Sequence, residues 1–231
     1  RTSTIRDEPE TKLKGRTVNG KPVVASINGK SLREANSVGR FTLEENGKII
    51  ENGQPDNLYL NDGKGRFSPV SFTGGMFLDE EGAPIKKPLY EWGLSVMFRD
   101  INQDGMPDIY VCNDFESPDR VWINQGNSVF RAIDKLAIRK SSHFSMGVDF
   151  ADINRDGLDD FIVADMLSRQ HKLRHTQLSN RKPPELYLGR YDDRPQYSYN
   201  TVFMNQGKGA YAEVAYYTGL AATEWSWTPV F

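Results

Sequence analysis

The sequence of 231 residues lacks most features that would assign it directly to a functional class. It has one cysteine, Cys112, so no disulfide can form within the chain. No apolar run approaches the length of a membrane span, and the formal net charge is only −2, with no basic stripe. Phosphate-binding glycine loops, nucleophile elbows and dinucleotide fingerprints are also absent from the sequence. We therefore expect no nucleic-acid partner and no membrane span.

The sequence does contain one short acidic motif twice. DINQDGMPD at 100–108 and DINRDGLDD at 152–160 share the skeleton D-x-N-x-D-G-x-x-D. A chance match to five fixed letters is rarer than about one in a million per starting position. Two copies in one chain are therefore a repeat, and their six shared Asp residues account for more than the whole net charge.

The spacing of the oxygen-bearing side chains in this motif suits calcium. Ca²⁺ takes about six to eight oxygen ligands from carboxylates, amides, carbonyls and water. Gly at position 6 permits the sharp turn that brings alternate side chains inward. We predict two Ca²⁺ sites, the alternative being a pair of solvated acidic turns without metal. The predicted ligands are the side chains at positions 1, 3, 5 and 9 and the carbonyl at position 7: Asp100, Asn102, Asp104, Met106 and Asp108 in the first loop, and Asp152, Asn154, Asp156, Leu158 and Asp160 in the second.

The motif is not an EF-hand. An EF-hand needs a bidentate Glu at position 12 and a helix on each side, whereas position 12 is Val111 in one copy and Val163 in the other. The flanking segments LSVMF, DIYVC and DFIVA are short and rich in β-branched and aromatic residues, which is typical of strands. We interpret Cys112, within DIYVC, as a small buried hydrophobic residue.

A second repeat runs in step with the first. DNLYLNDGKGRFSPV (56–70), DRVWINQGNSVFRAI (119–133) and NTVFMNQGKGAYAEV (200–214) each place an Asn-x-Gly turn between two short strands. Combined with the acidic loops, they predict four-stranded units at 92–133 and 144–215, the second lengthened by an insertion at about 166–199. The predicted fold is all-β, a partial β-propeller of four-stranded antiparallel blades with calcium-binding loops.

These loops and hairpins, taken together, resemble the FG-GAP/VCBS repeats of integrin-α-like propellers. The longer strings WGLSVMFRDINQDGMPDIYVCNDF, FSMGVDFADINRDGLDDFIVADML and GLAATEWSWTPVF resemble bacterial members of the ASPIC/UnbV group, which includes the cartilage acidic protein. The resemblance covers about residues 51–231 and leaves 1–50 as a leading segment with part of a blade. It implies a secreted or surface-attached calcium-binding scaffold for cell adhesion or interaction with a protein or polysaccharide at the cell surface. Calcium sites are also most useful where calcium is plentiful, so the expected location is extracellular, cell-surface or periplasmic.

Two further expectations concern the organisation of the chain. TEWSWTPVF at 223–231 occupies the place that EWGLSVMF and FSMGVDF hold before the two acidic loops. This position predicts that the native protein continues into a third loop and that the chain ends within a blade. Residues 168–198 are rich in charge and proline, which predicts an exposed, partly helical excursion without strand pairing to the blades.

We expect no catalytic activity, and the alternative is a propeller enzyme, a lyase or hydrolase acting on extracellular polysaccharide. Its carboxylate pair could be drawn from Asp114 and Asp165, although these more simply line the rim of the blades. His171 and His175 share a helix face in a geometry that zinc could use, but neighbouring basic residues favour a solvated polar helix.

Overall fold

The computed structural model describes residues 10–35, 38–43, 49–115, 117–178 and 194–231. Regular structure in these residues is mainly β-strand, which confirms the all-β prediction. Within this part of the chain the helices are α1 (His171–Leu178) and α2 (Ala215–Thr218), and no helix is long and apolar enough to cross a membrane. The chain divides into a smaller unit, residues 1–56 with 89–92, and a larger unit, residues 57–88 with 93–231.

The strands are numbered in chain order. The first ten are β1 (Leu13–Val18), β2 (Lys21–Ile27), β3 (Lys30–Ser31), β4 (Phe41–Leu43), β5 (Ile49–Glu51), β6 (Gln54–Pro55), β7 (Leu58–Asn61), β8 (Phe67–Val70), β9 (Phe77–Leu78) and β10 (Tyr90–Glu91). They are followed by β11 (Gly93–Arg99), β12 (Asp108–Asn113), β13 (Arg120–Asn124), β14 (Phe130–Ala132), β15 (Ser141–Ser142), β16 (Gly147–Ala151), β17 (Asp160–Ala164), β18 (Met166–Leu167), β19 (Gln196–Tyr197), β20 (Thr201–Asn205), β21 (Tyr211–Glu213) and β22 (Glu224–Trp225).

The smaller unit is built on an antiparallel meander of β1, β2 and β3. Asn-Gly pairs at 19–20 and 28–29 make its turns, and all four residues have positive φ, as two-residue hairpin turns of this kind require. Short pairs β4–β5 and β6–β10 complete the unit around a core that contains Val24, Ile27 and Phe41. The hairpin signal of both Asn-Gly pairs is visible in the sequence, although the prediction for residues 1–50 named only a leading segment with part of a blade.

The larger unit contains the two predicted four-stranded sheets. Strands β11 to β14 pair antiparallel in sequence order, and so do β16, β17, β20 and β21, which confirms the two four-stranded antiparallel sheets, called the first and second blade below. The first sheet has one unpredicted addition: β9 lies parallel to the outer edge of β14, with Phe77 opposite Phe130. The hairpin β7–β8 stands as a separate two-stranded pair.

Aromatic side chains from successive strands fill the core of the larger unit. Phe161 on β17 lies at its centre, stacked on Phe203 at a ring-centroid distance of 4.6 Å and edge-on to Tyr110 at 5.5 Å. Phe150 adds a further ring contact to Phe161 at 5.1 Å. Cys112 is completely buried in the same cluster, and burial raises the pKa of its thiol, in keeping with its interpretation as a core residue. The period-2 alternation of the strands thus packs the first blade against the second.

A short strand pair lies at each end of the insertion. Met166–Leu167 pairs with Glu224–Trp225, and Gln196–Tyr197 pairs in parallel with Ser141–Ser142. Both are separate two-stranded pairs, so the described residues of 168–198 make no strand pairing with the two four-stranded sheets, as predicted. The predicted helical character is confirmed by α1, whose described side chains are largely exposed, while residues 179–193 lie outside the described part of the chain.

Candidate functional site

The two acidic loops join the first strand of each sheet to the second. Residues 100–107 connect β11 to β12, and residues 152–159 connect β16 to β17. The Gly at position 6 has φ of 85° in the first loop and 87° in the second, as predicted, because L-residues with a Cβ avoid this region. Gln103 and Arg155, both at position 4, each have φ of 62°. The two loops therefore make the same turn at the same two positions.

Backbone N–H groups within each loop donate hydrogen bonds to the carboxylate at position 1. In the first loop the Asp100 carboxylate accepts hydrogen bonds from the N–H groups of Asp104 at 3.0 Å and Gly105 at 2.9 Å. The Asn102 side-chain amide donates to Asp104 Oδ2 at 2.9 Å. The second loop repeats all three contacts at the corresponding positions, with distances of 3.0, 2.9 and 2.9 Å. The local sequence therefore specifies a single turn geometry twice.

The Asp at position 9 has a different environment from the others. Asp108 and Asp160 are completely buried, and each links its loop to the Asn of the following Asn-x-Gly turn. Asp108 accepts bonds from the N–H groups of Ile101 at 2.8 Å and Asn124 at 2.7 Å. Burial raises the pKa of Asp108, and the hydrogen bonds from the backbone oppose that rise. The carboxylate is thus a structural bridge between two segments of the blade.

The second blade contains the same bridge across a longer stretch of chain. Asp160 accepts bonds from the N–H groups of Ile153 at 3.0 Å and Asn205 at 2.8 Å. The Asn205 side-chain amide donates to the carbonyl of Asp159 at 3.1 Å, as that of Asn124 donates to the carbonyl before Asp108 at 3.0 Å. The two sequence repeats run in step because the acidic loop and the Asn-x-Gly turn interlock within each blade.

Replacement of the turn asparagine tests this interlock. Asn124→Ala or Asn205→Ala removes the side-chain hydrogen bond from the turn to the acidic loop, so we expect a loss of about 0.5–1.5 kcal/mol of unfolding free energy. Asn61→Ala is the matched control, because Asn61 caps its own exposed turn through Gly63 and Gly65. In urea unfolding of the three variants, the unfolding free energy of Asn61→Ala should be closest to that of the wild type. Equal losses at all three positions would contradict a special role for the interlock.

The oxygen atoms available in each loop suit a hard cation. Three carboxylates, one amide oxygen and one backbone carbonyl are of the type that Ca²⁺ prefers, and positions 3 and 5 of both loops are exposed to solvent. In the described residues no group of three or more His, Cys, Asp or Glu side chains is gathered closely enough to hold a metal ion. The carboxylates are instead turned towards backbone N–H groups. The donor chemistry thus fits calcium, whereas binding requires the carboxylates to turn towards the ion.

The two loops also contact each other. The Gln103 side-chain amide donates to the Gly157 carbonyl at 2.6 Å, and Arg99 Nε lies 2.6 Å from Asp159 Oδ2. Arg99 directly precedes the first loop Asp, and Asp159 directly precedes the last. A cavity of about 290 Å³ lies beside these contacts, and its walls include Ile101 and residues of the turn at 205–209. The predicted sites therefore lie on one edge of the larger unit as neighbours in contact.

The carboxylates considered for glycoside chemistry lie at the opposite ends of the second strands. Asp165 is completely buried, and its Oδ2 accepts bonds from the Ser142 hydroxyl at 2.6 Å and from the N–H groups of His143 and Phe144 at 3.1 and 3.0 Å. Burial raises the pKa of Asp165, while these hydrogen bonds lower it. Asp114 is also buried and accepts a bond from the N–H of the next residue. Asp165 thus anchors the segment that leads into the second blade.

Asp119 is a further buried carboxylate, and it was not among the predicted site residues. It accepts hydrogen bonds from the Tyr110 hydroxyl at 2.8 Å and from the Asn113 N–H at 2.9 Å. Burial, with a contribution from the charge of Asp165, raises the pKa of Asp119 to about 7. The only sequence signal is an Asp placed directly before strand β13, which is too common a pattern to indicate burial.

Comparison with known proteins supports the assignment of the repeats. The sequence model of one family, described as the FG-GAP-like repeat, matches residues 100–163, from the start of the first acidic loop into the second strand of the following blade. This match supports a relationship to the FG-GAP family over that segment. No curated protein matches the chain.

Proposed function

We propose that this chain is part of an extracellular calcium-binding β-propeller that acts as a non-catalytic scaffold for macromolecular interaction. The observation that carries the proposal is the same interlocked acidic loop and Asn-x-Gly turn in two successive antiparallel sheets. FG-GAP repeats are generally involved in protein interactions, and the matched segment contains both acidic loops. The longer strings around the loops support the ASPIC/UnbV group, and with it a protein or polysaccharide partner at the cell surface.

The arrangement of the first strands supports the propeller. In a propeller, the first strands of successive blades lie next to one another around a central channel. Strand β11 lies beside β16, and residues 227–231 also contact β16. The Phe231 N–H donates to Asp149 Oδ2 at 2.8 Å, and a Cβ on Gly147 would lie only 2.8 Å from the Trp227 carbonyl. Gly147 thus allows this close approach of the two backbones.

The calcium sites would be formed by the loop residues already identified. Asp100, Asn102, Asp104 and Asp108 with the Met106 carbonyl would hold one ion, and their counterparts in the second loop would hold the other. Because the position-9 Asp also carries two backbone hydrogen bonds, an ion bound there would strengthen the link between loop and hairpin. The function of calcium in this proposal is to fix the shape of the blade edge, and an extracellular location provides the calcium.

The non-catalytic part of the proposal is supported by the environment of Asp165. Its Oδ2 accepts three hydrogen bonds from one neighbouring segment, and the carboxylate is completely buried. A general acid or nucleophile must reach its substrate, so a carboxylate enclosed in this way is better suited to anchoring the backbone.

Calcium titration of the chain tests the proposal directly. Isothermal titration calorimetry should give two bound ions for the wild type and one for either Asp104→Ala or Asp156→Ala, because position 5 provides a carboxylate to the centre of each loop. Asp62→Ala is the matched control, since Asp62 caps an exposed turn outside the acidic loops through the N–H groups of Lys64 and Arg66. Absence of binding, or equal binding by all four proteins, would exclude the acidic loops as calcium sites.

A further inference from the structure

The two histidines of helix α1 form a cluster that the propeller does not use. His171 and His175 are four residues apart, so their side chains lie on the same helix face. Their Nε2 atoms are 3.0 Å apart, and the two rings meet edge to face at a centroid distance of 4.3 Å. Both side chains are exposed to solvent. Two imidazole nitrogens therefore lie close together where solvent can reach them.

We propose that His171 and His175 form a chelating site for a borderline divalent transition-metal ion, with Ni²⁺ and Cu²⁺ preferred over Zn²⁺. Histidine nitrogen binds such ions at about 2.0–2.1 Å. Two nitrogens 3.0 Å apart then subtend about 94° at the ion, close to the angle between adjacent ligands in square-planar or octahedral coordination. A tetrahedral Zn²⁺ ion would need the nitrogens about 0.3 Å further apart. Water would complete the coordination of the ion.

The helix around the pair has no competing structural use for the imidazoles. The described side chains of α1, residues 171–176, lie mostly in solvent, and even Leu173 is 41% exposed, so these six side chains form no apolar face for packing. The nearby Arg169 and Arg174 direct their Nε groups to the carbonyls of Ala222 at 2.7 Å and Ser168 at 3.1 Å. Without metal, one Nε2–H donates to the other Nε2. When metal is bound, each ring carries its proton on Nδ1 and offers the Nε2 lone pair to the ion.

Titration of the untagged chain with Ni²⁺, in the presence of saturating Ca²⁺ to occupy the acidic loops, tests this site. We expect His171→Ala and His175→Ala each to weaken Ni²⁺ binding at least tenfold, because one ligand cannot chelate. His143→Gln, which removes the only other histidine, should bind like the wild type. A position swap provides the sharpest control: His175→Thr combined with Thr176→His keeps the composition but changes the spacing to five, and it should bind as weakly as the single variants.

Trypsin provides a second measurement, because Lys172 and Arg174 lie between the two histidines. Ni²⁺ that bridges one helical turn should slow cleavage at these sites in the wild type and leave the swapped variant unaffected. Equal Ni²⁺ affinity in the wild type and the swapped variant, absence of binding to the wild type, or a loss in His143→Gln as large as in the single variants would overturn the proposal.

Discussion

Removal of calcium is expected to lower the unfolding free energy of the larger unit by about 5 kcal/mol and its melting temperature by roughly 10–20 °C. An ion that binds only the folded loop contributes about 2.7 kcal/mol per site at a hundredfold excess over its Kd, and the chain has two loops. Three Asp side chains of each loop would have to converge on one ion, and the bound Ca²⁺ would compensate the repulsion between their charges. Differential scanning calorimetry at fixed ionic strength, with and without a chelator, measures the shift.

Two comparisons make this experiment specific. Mg²⁺ should restore little of the lost stability, because it requires a smaller octahedral site and retains its water ligands. Asp104→Ala and Asp156→Ala should each remove about half of the calcium-dependent shift, and the double variant nearly all of it. Asp62→Ala removes the same charge from an exposed turn and should retain the full shift. A melting temperature that the chelator does not change would contradict calcium stabilisation.

The parts of the fold that the sequence predicts are those specified by neighbouring residues. The acidic loops require Gly105 and Gly157 at positive φ, and the blade hairpins carry Asn two residues before Gly, so both patterns are visible in a short window. The alternation of apolar residues in DIYVC and DFIVA likewise predicts strands β12 and β17. These local rules are sufficient to place the four strands of each blade in the correct order.

The parts that the sequence did not predict depend on contacts between distant residues. Strand β9 consists of Phe77 and Leu78 and joins β14 about fifty residues later, and a two-residue strand has no periodicity to detect. The bond from the Asn205 N–H to Asp160 spans 45 positions because the insertion separates them. The short pairing of Gln196–Tyr197 with Ser141–Ser142 lies outside both four-stranded sheets and joins distant segments, so no local pattern indicates it.

In the candidate site, too, the sequence predicts what neighbouring residues specify but not what contacts between distant residues decide. The sequence correctly groups Asp108 with the other loop residues by spacing, but only the structure shows that it is buried and bridges to Asn124. The loop sequence alone does not show which residues will contact the carboxylate at position 9, so it does not distinguish a buried carboxylate from an exposed one. Spacing therefore predicts which residues share a loop, and packing decides the role that each of them has.

Asp119 should make the stability of the chain fall as the pH rises from about 4 to 7. Its pKa is about 7 in the folded protein against an ordinary value of 3.8, because burial penalises the ionised form. The folded state therefore binds this proton more tightly than the unfolded state does, and the resulting stabilisation is complete below pH 3.8 and lost as the pH passes through 7. The difference of about three pKa units corresponds to roughly 4 kcal/mol.

Urea unfolding of the wild type and Asp119→Asn at several pH values between 4 and 8 isolates this effect, because other titrating groups are common to both proteins. Between about pH 4 and 7 the unfolding free energy of the wild type should fall relative to that of Asp119→Asn, and above pH 7 the difference between the two proteins should stay constant. Tyr110→Phe provides a second test. The Tyr110 hydroxyl donates to Asp119 at 2.8 Å and favours the ionised carboxylate, so its removal should raise the pKa further and extend the loss of stability to higher pH. Parallel profiles of the wild type and Asp119→Asn throughout the window would show that Asp119 does not hold its proton in the folded protein.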